Sequence, residues 1–328
     1  MRAPGFWWRA PSHPGLWPRL LAPLGWVYAA ATARRLRQTG YRASVPVICV
    51  GNLVAGGAGK TPTIIALIER LTARGHAVHV VSRGYGGRLE GPVRVTSDHQ
   101  AEEVGDEPVL LSAFGPVWVA KDRAEGVRAA EAAGARVILL DDGFQNPAVL
   151  PSLGLVVVDA AKGFGNGRCI PAGPLREPVA VGLARADLVL TIGDAAAQAR
   201  FDAIWGAAVA VPRLQARLEP LQMGMDWAGQ RVLAFAGIAD PSRFFATLRG
   251  EGVELVRGEA LSDHEMLSET LLRRLEAEAA GASAQLVTTE KDAARLPPAW
   301  RPKVLTLVVR LRLADWSALD AALDRLGL

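Results

Sequence analysis

Gly56, Gly57, Gly59, Lys60 and Thr61 stand together in GNLVAGGAGKTP, residues 51–62, between a β-branched apolar run and an apolar-periodic one. Backbone N–H groups of such a glycine turn can point inward at phosphates, and a following helix N-terminus adds positive potential there. A lysine and a hydroxyl placed next can reach the β- and γ-phosphates and a Mg²⁺ ion. The standard pattern, G-x-x-x-x-G-K-[ST], asks for glycine at the position of Val54. Here the glycines crowd toward the lysine instead. Val54, Ala55, Gly56, Gly57, Ala58, Gly59, Lys60 and Thr61 are therefore read as the loop holding a nucleotide, with Pro62 suited to the first helical turn.

A phosphate loop needs an acidic partner at the end of a nearby strand to hold Mg²⁺. Asp141 and Asp142 follow the apolar run Arg136–Leu140 and have that form, although adjacent aspartates can also cap a helix. Thr289-Glu290-Lys291-Asp292 has the residue types of a guanine motif in the wrong spacing, which leaves adenine, and hence ATP, as the default. Gly84-Tyr85-Gly86-Gly87 lacks the spacing of a dinucleotide fingerprint; with Arg83 and Arg88 it reads either as a site for a substrate phosphate or as a plain turn. Phosphoryl transfer to a hydroxyl also wants a base near the acceptor. Asp106 and Glu107, Arg176 and Glu177, and Ser262-Asp263-His264 supply candidates, each taken alone as readily a loop charge.

The elements that must carry these groups alternate. Strand-like runs at 45–50, 77–82, 117–120, 136–140, 155–158 and 188–192 are separated by helical ones, such as 62–74 and 123–133. Short buried strands alternating with helices predict a P-loop-like, doubly wound, mostly parallel α/β sheet with ligands beyond the carboxyl ends of its strands. The pattern loosens at 212–228, and a smaller set follows at 232–236, 242–248, 285–288 and 304–309. The expected organisation is a head at 1–44, a core at 45–220 and a smaller α/β lobe at 221–328, with a cleft between the lobes.

Of 328 residues half are hydrophobic, enough for a folded core, and two cysteines make neither a disulfide framework nor a zinc cluster. A reducing cytoplasmic setting follows as an expectation. The net charge of +4 hides an asymmetry: eight basic and no acidic residues precede Glu69, so the remainder nets four negative charges. The head also holds Trp7, Trp8, Trp17 and Trp26, with an apolar run from Leu20 to Ala33 leading into Arg34, Arg35 and Arg37. That run is too short to span a bilayer, but tryptophan and arginine around a short helix suit a headgroup interface. A signal peptide, a nucleic-acid arm and an ordinary packed helix are the competing readings. No nucleic-acid motif accompanies the charge, and export would take a nucleotide site away from ATP.

GNLVAGGAGKTP, SRGYGGR, GDEP, DDGFQ, PAGPLREP, FAGIADPSRFF, the SDH turn and TTEKDA occur in that order between about residues 45 and 295. Together they resemble the tetraacyldisaccharide 4′-kinase family of Gram-negative bacteria. The resemblance implies a P-loop kinase fold with a second lobe and an N-terminal helix at the cytoplasmic face of the inner membrane, an anionic surface. It implies transfer of the γ-phosphate of ATP to the 4′-hydroxyl of a tetraacyl disaccharide 1-phosphate. Lys60 and Thr61 would serve ATP and Mg²⁺, with Asp141, Asp142 and Glu107 at the metal. Asp106 would be the base, paired with His264. Arg83, Tyr85, Gln145, Arg176 and Glu177 would line the substrate's side of the cleft, and the four tryptophans would anchor the head. Two other readings stay open: a partitioning-type regulatory ATPase at a membrane, and a small-molecule kinase or synthetase of the dethiobiotin-synthetase type.

Overall fold

The computed structural model describes residues 3–222, 224–262 and 265–328. Its strands are β1 (Val47–Gly51), β2 (Val78–Ser82), β3 (Val93–Arg94), β4 (Val117–Val119), β5 (Val137–Asp141), β6 (Leu153–Asp159), β7 (Leu188–Ile192), β8 (Arg213–Pro220), β9 (Arg231–Ala236), β10 (Glu254–Ala260), β11 (Gln285–Thr289), β12 (Val304–Leu307) and β13 (Val309–Leu313). Nine of them form one sheet in the order β13-β8-β7-β6-β1-β5-β2-β4-β3, and four a second in the order β10-β9-β11-β12. Within the large sheet only the edge strands β3 and β13 run antiparallel to their neighbours. Strands β1, β2, β5, β6 and β7 are buried along their whole length, as apolar runs covered on both faces must be.

β1 lies between β5 and β6, so the chain winds outward in both directions from it. Loops leaving neighbouring strands on opposite faces open a crevice at that point. The loop after β1 and the carboxylates ending β5 therefore share one crevice.

Two departures from the sequence reading concern the link between lobes. The run 304–309 is not one strand. It passes from the small sheet into the large one at the buried Val308, and a continuous apolar run carries no signal of which sheet it joins. Residues 213–220 are not a loosened boundary but β8, which buries Leu214 and Ala216 and exposes Gln215 and Arg217. β8 leads into the second lobe and β13 returns from it, paired side by side from Val309–Pro220 to Leu313–Ala216. The closing helix Ser317–Asp324 then packs on the large lobe, where Asp320 meets both Arg70 and Arg74.

The described part of the head forms a 3-10 turn (Gly5–Trp8) and two α-helices, α1 (Leu16–Leu20) and α2 (Ala22–Arg35). Gly25 of α2 sits so close to the body that a Cβ there would stand 3.0 Å from the Cys169 carbonyl oxygen. The opposite side leaves Leu16, Trp17, Leu20, Leu24, Trp26 and Val27 exposed. Trp7 and Trp8 differ from the other two tryptophans. They are half-buried on the loop after β6, where the Trp7 indole donates to the Pro171 carbonyl at 3.0 Å. No helix among the described residues is long and apolar enough to cross a membrane.

Candidate active site

The loop after β1 turns into α3 (Lys60–Ala73), whose apolar face buries Ile64, Ile65, Leu67, Ile68 and Leu71 against the sheet and so fixes where Lys60 starts. Gly59 has φ +92°, and a Cβ there would lie 2.5 Å from Ile192 Cδ1, so both backbone and space require glycine. Gly56, at φ +115°, is held through its carbonyl by the buried Asn52 amide at 3.0 Å. The cleft is lined by Gly56 to Thr61 but not by Val54 or Ala55. Val54 bridges to Leu175, and the Ala55 N–H is already donated to the Pro174 carbonyl at 2.8 Å. Neither residue lines the cleft, and the Ala55 N–H is already engaged.

Asp141 ends β5, buried, and accepts from Ser82 Oγ at the end of β2 at 2.9 Å. Burial, then the Glu107 carboxylate, push its carboxyl up to about 7 against the pull of Lys60. Asp142 turns the other way, at φ +52°, and faces Lys60 Nζ at 3.5 Å and Arg176 Nη1 at 2.9 Å. Burial works to raise it, but Lys60 and Arg176 hold it below the usual carboxylate range. Beneath both lies Arg123, which donates to the Asp141 carbonyl at 3.0 Å and is itself lowered by burial. Gln145 accepts from Arg176 at 3.3 Å and donates to Glu177 at 2.9 Å. Glu177 does not line the cleft. It is buried behind Gln145 and clamped by both oxygens to Arg185 Nη2, at 2.6 and 2.5 Å.

SRGYGGR and GDEP meet backbone to backbone. A Cβ at Gly84 would stand 2.7 Å from the Val104 carbonyl oxygen, and one at Gly105 2.7 Å from that of Tyr85. This contact sets the start of the helix Asp106–Leu111 and with it Asp106, which is buried, and Glu107, which approaches Thr61 Oγ1 at 3.4 Å. Arg83 and Tyr85 are exposed on the cleft wall, whereas Arg88 points away and pairs with Glu103 at 2.6 Å. From the second lobe, Lys291 Nζ stands 3.5 Å from Glu107 and 3.8 Å from Asp106, and Arg295 Nε stands 3.8 Å from Asp106. Asp263 and His264 lie outside the described residues.

A second contact between lobes sits beyond the loop. Lys162 reaches Asp240 at 3.0 Å, and Arg243 reaches the buried Asp159 at 2.6 Å. Gly57 is close enough to this lobe that a Cβ would meet Ala239 at 3.2 Å. Between the two contacts runs a cavity of about 1220 Å³, walled by the phosphate loop, Asp141, Asp142 and Arg176. Tyr28 and Arg35 of the head also line it.

Sequence reasoning does not find Ser82, Arg123, Lys291, Arg295, Asp159 or Lys162. Lys291 falls within TTEKDA, a motif that carries no role by itself. Arg123 gives one signal, an arginine opening a helix directly after a strand. Among the described residues no three of His, Cys, Asp and Glu form a closed metal cluster. A phosphate-bound Mg²⁺ asks only one or two protein oxygens. The neighbouring acids Asp141 and Glu107 beside Thr61 fit that need, and Asp142, already between two cations, fits it less.

A family model described as tetraacyldisaccharide-1-P 4′-kinase matches residues 17–327. Relatives named tetraacyldisaccharide 4′-kinase include one from Dinoroseobacter shibae, 64% identical over 99% of this chain and 98% of its own length. Another, from Jannaschia sp., is 58% identical over 99% of both. The crystal structure of LpxK from Aquifex aeolicus, described as an "apo" form in complex with ATP, superposes with a TM-score of 0.76 at 24% identity, over 95% of this chain and 100% of that one. At that identity the superposition speaks for the fold, while the match along nearly the whole sequence makes this chain a member of the tetraacyldisaccharide-1-P 4′-kinase family.

Proposed function

We propose that this chain moves the γ-phosphate of ATP to the 4′-hydroxyl of a tetraacyl disaccharide 1-phosphate, with Asp106 as the base for that hydroxyl. Family membership sets aside the switch ATPase and the small-molecule synthetase. One observation carries the assignment of roles. The helix Asp106–Leu111 brings Glu107 to Thr61 at the start of α3, so Asp106 stands beside the γ-phosphate end of the loop. Lys60 and Arg176, both facing Asp142, give the transferring phosphoryl two cations, and stabilising charge is most of what this transfer requires. Thr61, Asp141 and Glu107 would hold Mg²⁺, which neutralises charge on the phosphates when bound. Gln145, fixed from behind by Glu177, orients Arg176. Arg83 and Tyr85 on the opposite wall face the acceptor sugar.

Residues 1–44 act as the interfacial segment, 45–220 as the kinase core with 309–328 packed on it, and the rest as the lobe that closes over ATP. Exposed Trp17, Trp26, Leu20 and Leu24 followed by Arg34, Arg35 and Arg37 suit the anionic cytoplasmic face of the inner membrane, where a tetraacyl substrate stays in its leaflet. Trp7 and Trp8, held on the body, are not part of this anchor.

The test is incubation with γ-labelled ATP, Mg²⁺ and the disaccharide 1-phosphate in detergent micelles. Label enters the lipid with the natural chain and not with Lys60→Ala; ATP binding without any transfer would refute the assignment. Replacing Trp17 and Trp26 by Ala should release the protein from anionic vesicles, and unchanged sedimentation would remove the interfacial role.

A further inference from the structure

We propose that Arg295 and Lys291 are positioning residues for the transfer: two cations of the second lobe that hold the Asp106 carboxylate in place and make its competence depend on contact between the lobes. This rests on the reading of Asp106 as the base. The construction begins at Asp292, which is fully buried. It accepts from the Gly237 N–H at 3.1 Å and from Thr289 Oγ1 at 2.7 Å, and it binds the Arg295 guanidinium. The same guanidinium donates to the Glu265 carbonyl at 2.8 Å and to the Gly237 carbonyl at 3.5 Å. Three segments of the second lobe thus converge on one planar group, whose remaining Nε edge stands 3.8 Å from Asp106 Oδ2.

Five N–H donors in a rigid fork can serve that many acceptors, and a lysine ammonium cannot. Lys291, from the short helix Glu290–Ala293, adds its charge between Asp106 and Glu107. Arg310 on β13 grips Glu290, the residue before Lys291, at 3.0 and 2.8 Å. The strand joining the lobes is therefore tied to the same helix. With the lobes together, an acid pair of the core faces a cation pair of the lobe. With the lobes apart, both acids lose those neighbours. Acceptor activation is in this way confined to the closed protein, which limits consumption of ATP without lipid.

A double-substitution experiment on the full chain tests this. Transfer kcat, the KM for ATP and thermal unfolding are measured for Arg295→Met, Arg295→Lys and Lys291→Met, each alone and with Asp106→Asn. Acting through one carboxylate, the losses are expected to overlap rather than multiply: about 30-fold or more in kcat for Arg295→Met and about 10-fold for Lys291→Met, shrinking to under about 3-fold beside Asp106→Asn. The KM for ATP stays within about 3-fold, and Arg295→Lys recovers only part of the loss. Losses that multiply in both backgrounds, or a change in KM alone, overturn the proposal and leave Asp106 as base. Near-normal kcat in Asp106→Asn alone overturns the base assignment itself, and the proposal with it. Should Arg295→Met fail to fold, Lys291→Met, at a partly exposed side chain, discriminates between the same outcomes.

Discussion

Among the described residues, two contacts between the lobes flank the cleft, and they are built differently. At the acid side, Asp106 and Arg295 have side chains only 3% and 9% exposed, and Asp292 behind them is fully buried. At the far side Lys162, Asp240 and Arg243 are 28%, 29% and 44% exposed, with Asp159 alone buried. Charges removed from water are costly unless well satisfied, so removing one partner at the acid side leaves an uncompensated group. Half-exposed pairs contribute roughly 0–1 kcal/mol and weaken with salt. On the proposed roles, the buried contact would set geometry for chemistry, and the half-exposed one would act as a reversible latch.

The largest expected difference between them is in kcat. Asp106→Asn should lose about 10²–10⁴-fold, as removal of a general base does. Lys162→Met should lose less than about 10-fold, because its pair is half-exposed and screened. Equal losses would erase the distinction. Next comes salt. Raising ionic strength from about 0.05 to 0.5 M shortens electrostatic reach from more than 10 Å to under 5 Å. This should raise the KM for ATP about 2–5-fold in the natural protein and leave Lys162→Met nearly unresponsive. A matching response in both would show that the latch does not bear on nucleotide binding.

The floor between the contacts can be tested by stability. Asp141 titrates near 7 when folded against an ordinary value of 3.8, so the folded state binds the proton more tightly. Its contribution is full below about pH 4 and is lost as pH rises through 7. Metal-free Asp141→Asn should therefore melt several degrees above the natural protein at pH 8, with the gain shrinking toward pH 5. A gain independent of pH would mean that burial of charge is not its cause. The smallest effect belongs to Trp8, whose ring lies 5.7 Å from Lys162 Nζ. Trp8→Ala should weaken the latch by about 0.5 kcal/mol, seen as a rise of about 2-fold in the KM for ATP.

Six strands of the large sheet, β1, β2 and β4 to β7, and the phosphate loop are legible in the sequence because their signals are local. Lys60 follows its strand and glycines within a dozen residues, and the Asp141–Asp142 pair directly ends another apolar run. The acid-side contact cannot be read this way. Asp106, Lys291 and Arg295 are brought together from distant parts of the chain by a fold whose linking strands, β8 and β13, alternate apolar and polar residues instead of forming the continuous apolar runs of the central strands. The edge strand β10 also escapes sequence reading: it is mostly exposed, and Glu254, Arg257 and Glu259 interrupt its apolar residues. Val54 misleads in the opposite direction. Its departure from the standard glycine pattern raises a question about nucleotide binding, but the structure uses the residue as a bridge to Leu175, outside the phosphate cradle.

β8 and β13 also bear on how the molecule is assembled. Pro220 and Val309 are register partners, so the chain leaves the large sheet and re-enters it at adjacent points. In topological terms the second lobe is an insertion with its two ends pinned together. Neighbouring strands lie under about 5 Å apart, so the lobe can swing on this ribbon without pulling its ends apart. The large sheet can close its own hydrogen bonding whatever angle the lobe adopts, so a lobe movement of the kind proposed would leave intact the core that carries the phosphate loop.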